Sequence, residues 1–469
     1  MPEPADWFRT TTERGNRASR NLRRASRDLR DLSGGSAIIE CVFDLDELAA
    51  VDPHADEATY IEQIAWLERV KSAAAAGQAR AAAALDEKRR ADEAAAGVPT
   101  AKQGRGVAGE VALARRDSPA RGGRHLGLGK ALVHEMPHTL AALQCGALSE
   151  WRTTLIVRES ACLDVEDRRK LDVELCADVS KLEGMGDARI TAAAKEIACR
   201  LDAQAVVDRA AKAQADRTVT IRPAPDCMTY VTALLPVAQG VGVYAALKHA
   251  ADRTFDDRCR GQVMADTLVE RVTGRPAQAP EPVALNLVMS DQALWGQDNA
   301  PAVLEGYGPI PASVAQRMVR DAVVDEQSLA TLRRLYRHPQ SGSLVAMESR
   351  SRLFPKGLAG FIGMRDRTCR TPYCDAPIRH RDHATPRNRG GPTSATNGLG
   401  ECERCNYTKE APGWRVSTAD EDGAHTAVFV TPTGAAHRST APPLPGAPLI
   451  TVSEVEIKIG IALADPHAA

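Results

Sequence analysis

Aromatic side chains are scarce. Six Phe, seven Tyr and five Trp in 469 residues mean that any core is filled mainly by aliphatic and small side chains. Hydrophobic residues still make up 43% of the chain, and alanine-rich stretches favour closely packed helices. Long apolar runs are missing too: no stretch of about 18 apolar residues occurs, so no membrane span is expected. The N-terminus is polar and rich in arginine, without the apolar core of a signal peptide. Seven of the 11 cysteines stand alone, which argues against a disulfide framework and for reduced thiols in the cytoplasm. The formal net charge is −1, so the chain as a whole does not carry the charge of a nucleic-acid binder.

What is present is concentrated between Cys369 and Trp414. Cys369 and Cys374 form one close pair, Cys402 and Cys405 another. Four thiolates in two tight turns match a closed tetrahedral structural site for Zn²⁺, able to fold a glycine-rich segment with little core of its own. Between the pairs stands Asp382, a hard oxygen ligand of the kind Mg²⁺ or Mn²⁺ prefers. His383 follows it, with an ordinary pKa of about 6.5 that suits a general base. Asn406 directly follows Cys405, so the knuckle directs its side-chain oxygen, and Asp382 and Asn406 together could hold one divalent ion. From Arg350 to Arg415 there are 13 Lys and Arg against six Asp and Glu. This basic segment on a neutral body is what phosphate contact needs, with Arg365, Arg367, Arg379, Arg381, Arg387, Arg389 and Lys409 as candidates. His380 reads as a supporting or surface histidine.

This segment resembles the HNH endonuclease motif, the ββα-metal finger, in its cysteine-knuckle branch. The resemblance implies that His383 is the general base and Asp382 a metal ligand. It further implies that Asn397 pins the loop between the two strands. Asn406 stands where many members carry His, which implies weaker metal binding at that ligand. The function so implied is metal-dependent hydrolysis of DNA phosphodiester bonds, with His383 activating water and zinc purely structural. Two other classes stand beside it: a zinc-stabilised nucleic-acid-binding module without catalysis, and an interaction protein whose helical body does the work.

The rest of the chain reads as follows. Residues 1–36 form a basic arm with Arg14, Arg17, Arg20, Arg23 and Arg27 at helical spacing. Residues 37–325 read as a mainly helical domain with a small α+β segment. A long helix is expected over Asp56–Ala96, with Ile61, Ile64, Leu67 and Val70 as its apolar stripe. A helix near Val107–Arg116 should break at Ser118–Gly123, and further helices are expected over Leu171–Leu182 and Ala188–Ala213. His134 and His138 are spaced like helix metal ligands, but Pro137 between them argues against a site. A hairpin is expected over 217–236, a strand over Val283–Met289 and a tight turn at Gly308-Pro309-Ile310-Pro311. These features resemble the actinobacterial domain of unknown function that precedes HNH fingers, the thirteen-E-twelve repeat family, over roughly residues 37 to 445. Residues 326–364 read as a connector with a helix at Leu329–Tyr336 and a loop or strand leading into Phe361. Residues 365–418 read as the finger, 419–445 as a hairpin and tail, and 446–469 as a flexible end. Target sequence, biological role and oligomeric state are left open.

Overall fold

The computed structural model describes residues 45–277, 287–324 and 354–445. The basic arm (1–36), most of the connector (including Leu329–Tyr336), residues 283–286 of the expected strand and the C-terminal end (446–469) lie outside the described residues. The chain divides into two units, Met1–Glu68 and Arg69–Ala469. In the first, a short helix α1 (Leu45–Ala49) precedes the start of a long one, α2 (Glu57–Ala95). Asp56 caps α2 by accepting from the Thr59 amide at 2.8 Å, and Gln63 Nε2 ties back to the Ala50 carbonyl at 2.7 Å.

Alanine propensity makes α2 long, and its end falls at Gly97 (φ 78°), ahead of Pro99. Its buried face differs from the expected stripe. Ile61 and Ile64 are exposed, whereas Ser72, Ala75, Ala76, Ala79, Ala82, Ala83 and Asp86 are buried. Small side chains let neighbouring backbones come close, and a Cβ on Gly129 of the next-but-one helix would lie 2.6 Å from the Ala79 carbonyl oxygen.

That helix is α4 (Pro119–His134), which follows α3 (Val107–Ala114). The expected break at Ser118–Gly123 is instead a helix start. Ser118 accepts from the Arg121 amide at 3.4 Å, Pro119 takes the first turn, and Gly122 lets α3 pack against it. Next come α5 (Pro137–Cys145) and α6 (Glu150–Ser160), joined through Gly146 in the left-handed region. Pro137 opens α5, so His134 and His138 sit on different helices.

Helix α7 runs Val165–Cys176, starting earlier than expected because Asp164 caps it at 2.8 Å. Asp178 then caps a separate 3₁₀ turn, Val179–Leu182. The single helix expected over 188–213 is split by Asp202, giving α8 (Asp187–Leu201) and α9 (Ala203–Ala213). Leu132, Met136, Leu143, Ile156, Leu171 and Ile190 centre the core of this bundle, and Asp172 closes it by accepting from the amides of His138 and Thr139.

The hairpin forms as β1 (Thr218–Ala224) and β2 (Met228–Leu234), followed by α10 (Val237–Asp252) and α11 (Arg260–Thr273). A small antiparallel sheet is formed by β3 (Leu287–Val288), β4 (Ala302–Leu304) and β5 (Gly308–Ile310), with α12 (Asp291–Leu294) before β4 and α13 (Ala312–Val324) after β5; Gly308–Ile310, expected within a tight turn, are strand because they pair with β4, and the turn itself falls at residues 305–307.

The stretch leading to Phe361 is a helix, α14 (Lys356–Asp366), not a loop or strand: Leu358, Phe361 and Ile362 are buried along one face. Strands β6 (His380–His383) and β7 (Gly398–Glu401) then pair antiparallel, and a short helix α15 (Glu403–Lys409) follows. The expected C-terminal hairpin, β8 (Arg415–Glu421) and β9 (Ala424–Val430), gains a third strand, β10 (Ala436–Thr440), in the order β10-β9-β8.

Candidate metal centre

The four cysteines come together. All four sulfurs of Cys369, Cys374, Cys402 and Cys405 lie within 4.8 Å of one another. Cys374 Sγ is 3.7 Å from Cys402 Sγ and 3.6 Å from Cys405 Sγ. Sulfurs at about 2.3 Å from a tetrahedral zinc ion stand roughly 3.8 Å apart, so the spacing fits. Two tight turns create it. One carries Tyr373 and Asp375 at positive φ; in the other Cys402 caps α15 and accepts from the Cys405 amide at 3.5 Å. Such crowding separates the four titrations. Hydrogen bonds from neighbouring thiols pull Cys402 down, and the same contacts push Cys405 up. A cation removes that conflict, so the cluster can hold a structural metal such as zinc. Among the described residues no other group of three or more His, Cys, Asp or Glu is placed this way.

Strand register puts His380, Asp382, Leu399 and Glu401 on one face of the β6–β7 ribbon, and α15 packs against β6. Asp382 Oδ2 is 2.8 Å from Lys409 Nζ on that helix. Burial works to raise the Asp382 pKa, but Lys409 and the His383 amide outweigh it and hold it below the usual range. Asn406 lies one turn before Lys409, and its Oδ1 is buried without a hydrogen-bond partner. Both are hard oxygen donors, that of Asp382 carrying the Lys409 ammonium and that of Asn406 without a partner. His380 is half-buried, its ring 6.2 Å from that of Tyr407.

His383 is buried at 8% exposure, its ring 4.7 Å from that of Phe354. Its Nε2 lies 2.9 Å from Thr393 Oγ1 and its Nδ1 3.5 Å from Asp382 Oδ1. Asn397 is buried in the returning loop. Its Oδ1 accepts from the Thr385 amide at 2.9 Å, and its Nδ2 donates to the carbonyls of Thr385 (3.0 Å) and Pro392 (2.8 Å).

The basic candidates separate by burial. Arg379, Arg381, Arg387 and Arg389 are exposed. Arg365 is a correction: it is buried, pairs with Asp366 and donates to the carbonyls of Ala395 and Gly398, leaving no face for a phosphate. Lys409 is a second: its side chain is 2% exposed and engages Asp382 and Glu410 at 2.8 Å, with Glu401 at 3.7 Å. Arg367 is half-buried and donates to the Pro443 carbonyl.

Several residues of the site carry no sequence signal. Asp366 ties Arg365, Arg370 and the Gly400 amide together beneath β7; burial alone would raise its pKa, and the two guanidinium groups reverse that. Glu401 is fully buried, neither carboxyl oxygen has a hydrogen-bond partner, and burial pushes its pKa well above the carboxylate range. The seat of α15 was equally hidden. Arg404 Nη1 donates to the Pro119 carbonyl at 2.9 Å, Trp414 and Ala411 bury Leu113 of α3, and a Cβ on Gly109 would lie 2.6 Å from Thr408 Cγ2. A Gly-x-x-Gly spacing at 106 and 109 was the one visible trace.

A mainly helical body thus carries a small strand–strand–helix unit with a four-cysteine cluster. The family model described as Domain of unknown function (DUF222) matches residues 65–366, and the chain belongs to that family. The match stops at Asp366, so the four-cysteine segment lies beyond it. No curated protein and no solved structure matches the chain. No helix among the described residues is long and apolar enough to cross a membrane.

Proposed function

We propose that the chain is a metal-dependent HNH-type DNA endonuclease that hydrolyses phosphodiester bonds. The observation that carries this reading is the juxtaposition beside the cysteine cluster. Asp382 and His383 end one strand, Asn397 closes the loop, and the helix after Cys402 directs an unpartnered amide oxygen of Asn406. Asp382 and Asn406 would hold a Mg²⁺ or Mn²⁺ ion, which supplies charge stabilisation to the phosphate and its leaving oxygen. His383 Nε2 shares a hydrogen bond with Thr393 Oγ1 at 2.9 Å; in the tautomer with the proton on Nε2, Nδ1 is the nitrogen left to take a proton from water. Asp382 Oδ1, 3.5 Å from that nitrogen, then stabilises the imidazolium. The exposed Arg379, Arg381, Arg387 and Arg389 contact the DNA backbone, giving affinity and salt dependence rather than sequence choice.

One observation favours a second reading, a zinc-stabilised nucleic-acid-binding module without catalysis: Asp382 Oδ2 already carries the Lys409 ammonium. Plasmid cleavage with Mg²⁺, with Mn²⁺ and with EDTA separates the two. Metal-dependent nicking by the wild type, lost in His383→Ala with DNA binding retained, is the expected result. Equal cleavage by that variant overturns the mechanism. DNA binding without cleavage by a folded, zinc-loaded wild type supports the second reading.

A further inference from the structure

We propose that Phe354 is a positioning residue for His383, so that the segment matched by the DUF222 model supplies one wall of the nuclease site; this rests on the reading of His383 as the general base. The family match runs to Asp366, so Phe354 lies inside it and His383 beyond it. The two rings nevertheless meet, their centroids 4.7 Å apart and their planes tilted by 43°. Phe354 stands just before Pro355, which opens α14, and packs on the cluster of Leu358, Phe361 and Ile362. Gly398 makes the approach possible. It is the strand partner of His383, and paired residues share a face of the ribbon. A Cβ at Gly398 would lie 2.9 Å from Phe354 Cε1, and closer still to Ile362 Cδ1. The missing side chain leaves the space that the phenyl ring fills beside the imidazole.

Hydrogen bonding alone leaves the imidazole loosely set. Rotation about the last side-chain bond of a histidine is broad, and the 2.9 Å contact from Nε2 to Thr393 Oγ1 anchors one corner of the ring. On the other side Nδ1 is 3.5 Å from Asp382 Oδ1, too long to fix it. The phenyl ring restrains the tilt about the Thr393 anchor and so keeps Nδ1 on the side of Asp382. Core filling alone explains Phe354 less well: it is half-buried, whereas Leu358, Phe361 and Ile362 of the same cluster are buried. A base displaced by about 1 Å can lose roughly a hundredfold in rate, so a wall that fixes its tilt acts on the chemical step.

Two readouts on the zinc-loaded full chain test this. One is single-turnover plasmid cleavage with Mg²⁺ at saturating protein. The other, independent of cleavage, is the nuclear magnetic resonance of the His383 ring in histidine-labelled protein, assigned by its loss in His383→Ala. Phe354→Ala should slow cleavage by roughly ten- to a hundredfold, with DNA affinity and zinc content unchanged. It should also move the His383 ring signals, which the phenyl ring current shifts. Phe354→Tyr keeps the ring and should restore both. Leu358→Ala deletes a side chain of the same cluster, and should lower the unfolding midpoint while leaving rate and ring signals at their wild-type values. Wild-type cleavage by Phe354→Ala, or equal losses of rate in Phe354→Ala and Leu358→Ala, overturns the proposal. Ring signals unmoved in Phe354→Ala overturn the contact itself. No cleavage by a wild type whose ring signals do move in Phe354→Ala overturns instead the reading of His383 as a base, and the positioning role with it.

Discussion

Asn397 holds both backbone polar groups of Thr385: the side-chain oxygen accepts from the Thr385 amide at 2.9 Å while the side-chain nitrogen donates to the Thr385 carbonyl at 3.0 Å. One amide therefore closes the loop between β6 and β7 and keeps His383 at the ribbon's end. Asn397→Ala leaves those backbone groups unpaired in a buried setting and should destabilise the finger by about 2 kcal/mol or more. Denaturant unfolding of the full chain checks this. Asn397→Asp keeps the acceptor but sets a carboxylate oxygen against the Thr385 and Pro392 carbonyls, and should destabilise at least as much as Asn397→Ala.

The four-cysteine cluster should carry one zinc ion per chain. Cys402→Ser removes one of the four sulfurs while keeping a side chain that can cap α15, so zinc stoichiometry by elemental analysis should fall towards zero. Structural zinc of this kind is worth on the order of 10 kcal/mol of binding free energy, so chelation should also melt the finger. A finger that stays folded and zinc-loaded in Cys402→Ser would contradict the assignment.

The docking of α15 on α3 and α4 makes a packing prediction. Gly109→Ala places a methyl group 2.6 Å from Thr408 Cγ2 and should cost about 1–3 kcal/mol by overpacking. Gly127→Ala is the control, since a Cβ there meets nothing within 4 Å and helix propensity favours alanine. Thr408→Ser deletes the clashing methyl and should recover most of the loss, a coupling that unfolding midpoints in a double-mutant cycle would reveal.

His425 sets an acid limit. It is buried, its Nε2 donating to the Thr396 carbonyl at 2.7 Å and its Nδ1 accepting from Arg370 at 3.2 Å. Burial and the nearby Arg365 charge lower its pKa from 6.5 to about 4. Between those values the unfolded chain takes up the proton more readily than the native one, so stability falls as pH drops through that window. The full effect is about 3 kcal/mol. His425→Asn should flatten this part of the stability–pH curve, while acid release of zinc would remain in both proteins.

Much of the site was legible because its geometry is local. Cysteines three and five positions apart dictate tight turns, and a residue next to a knuckle cysteine is directed by it. Asp382, His383, Asn397 and Asn406 could therefore be singled out from spacing and motif. The hairpins at 218–234 and 415–430 were legible for the same reason, through alternation and turn residues.

What the tertiary structure decided was burial. Ile61 and Ile64 read as a core stripe but lie exposed, and it is the alanine face further along α2 that packs closely on α4. Arg365 and Lys409 read as phosphate ligands but spend their charges on Asp366, Asp382 and Glu410. Glu401 carried no signal until an element eight residues downstream brought Lys409 to it. Spacing along the chain determines turns, caps and which residues share an element. Whether a charge faces solvent, a phosphate or another side chain depends on segments far away in sequence, since desolvation and pairing arise only when those segments meet.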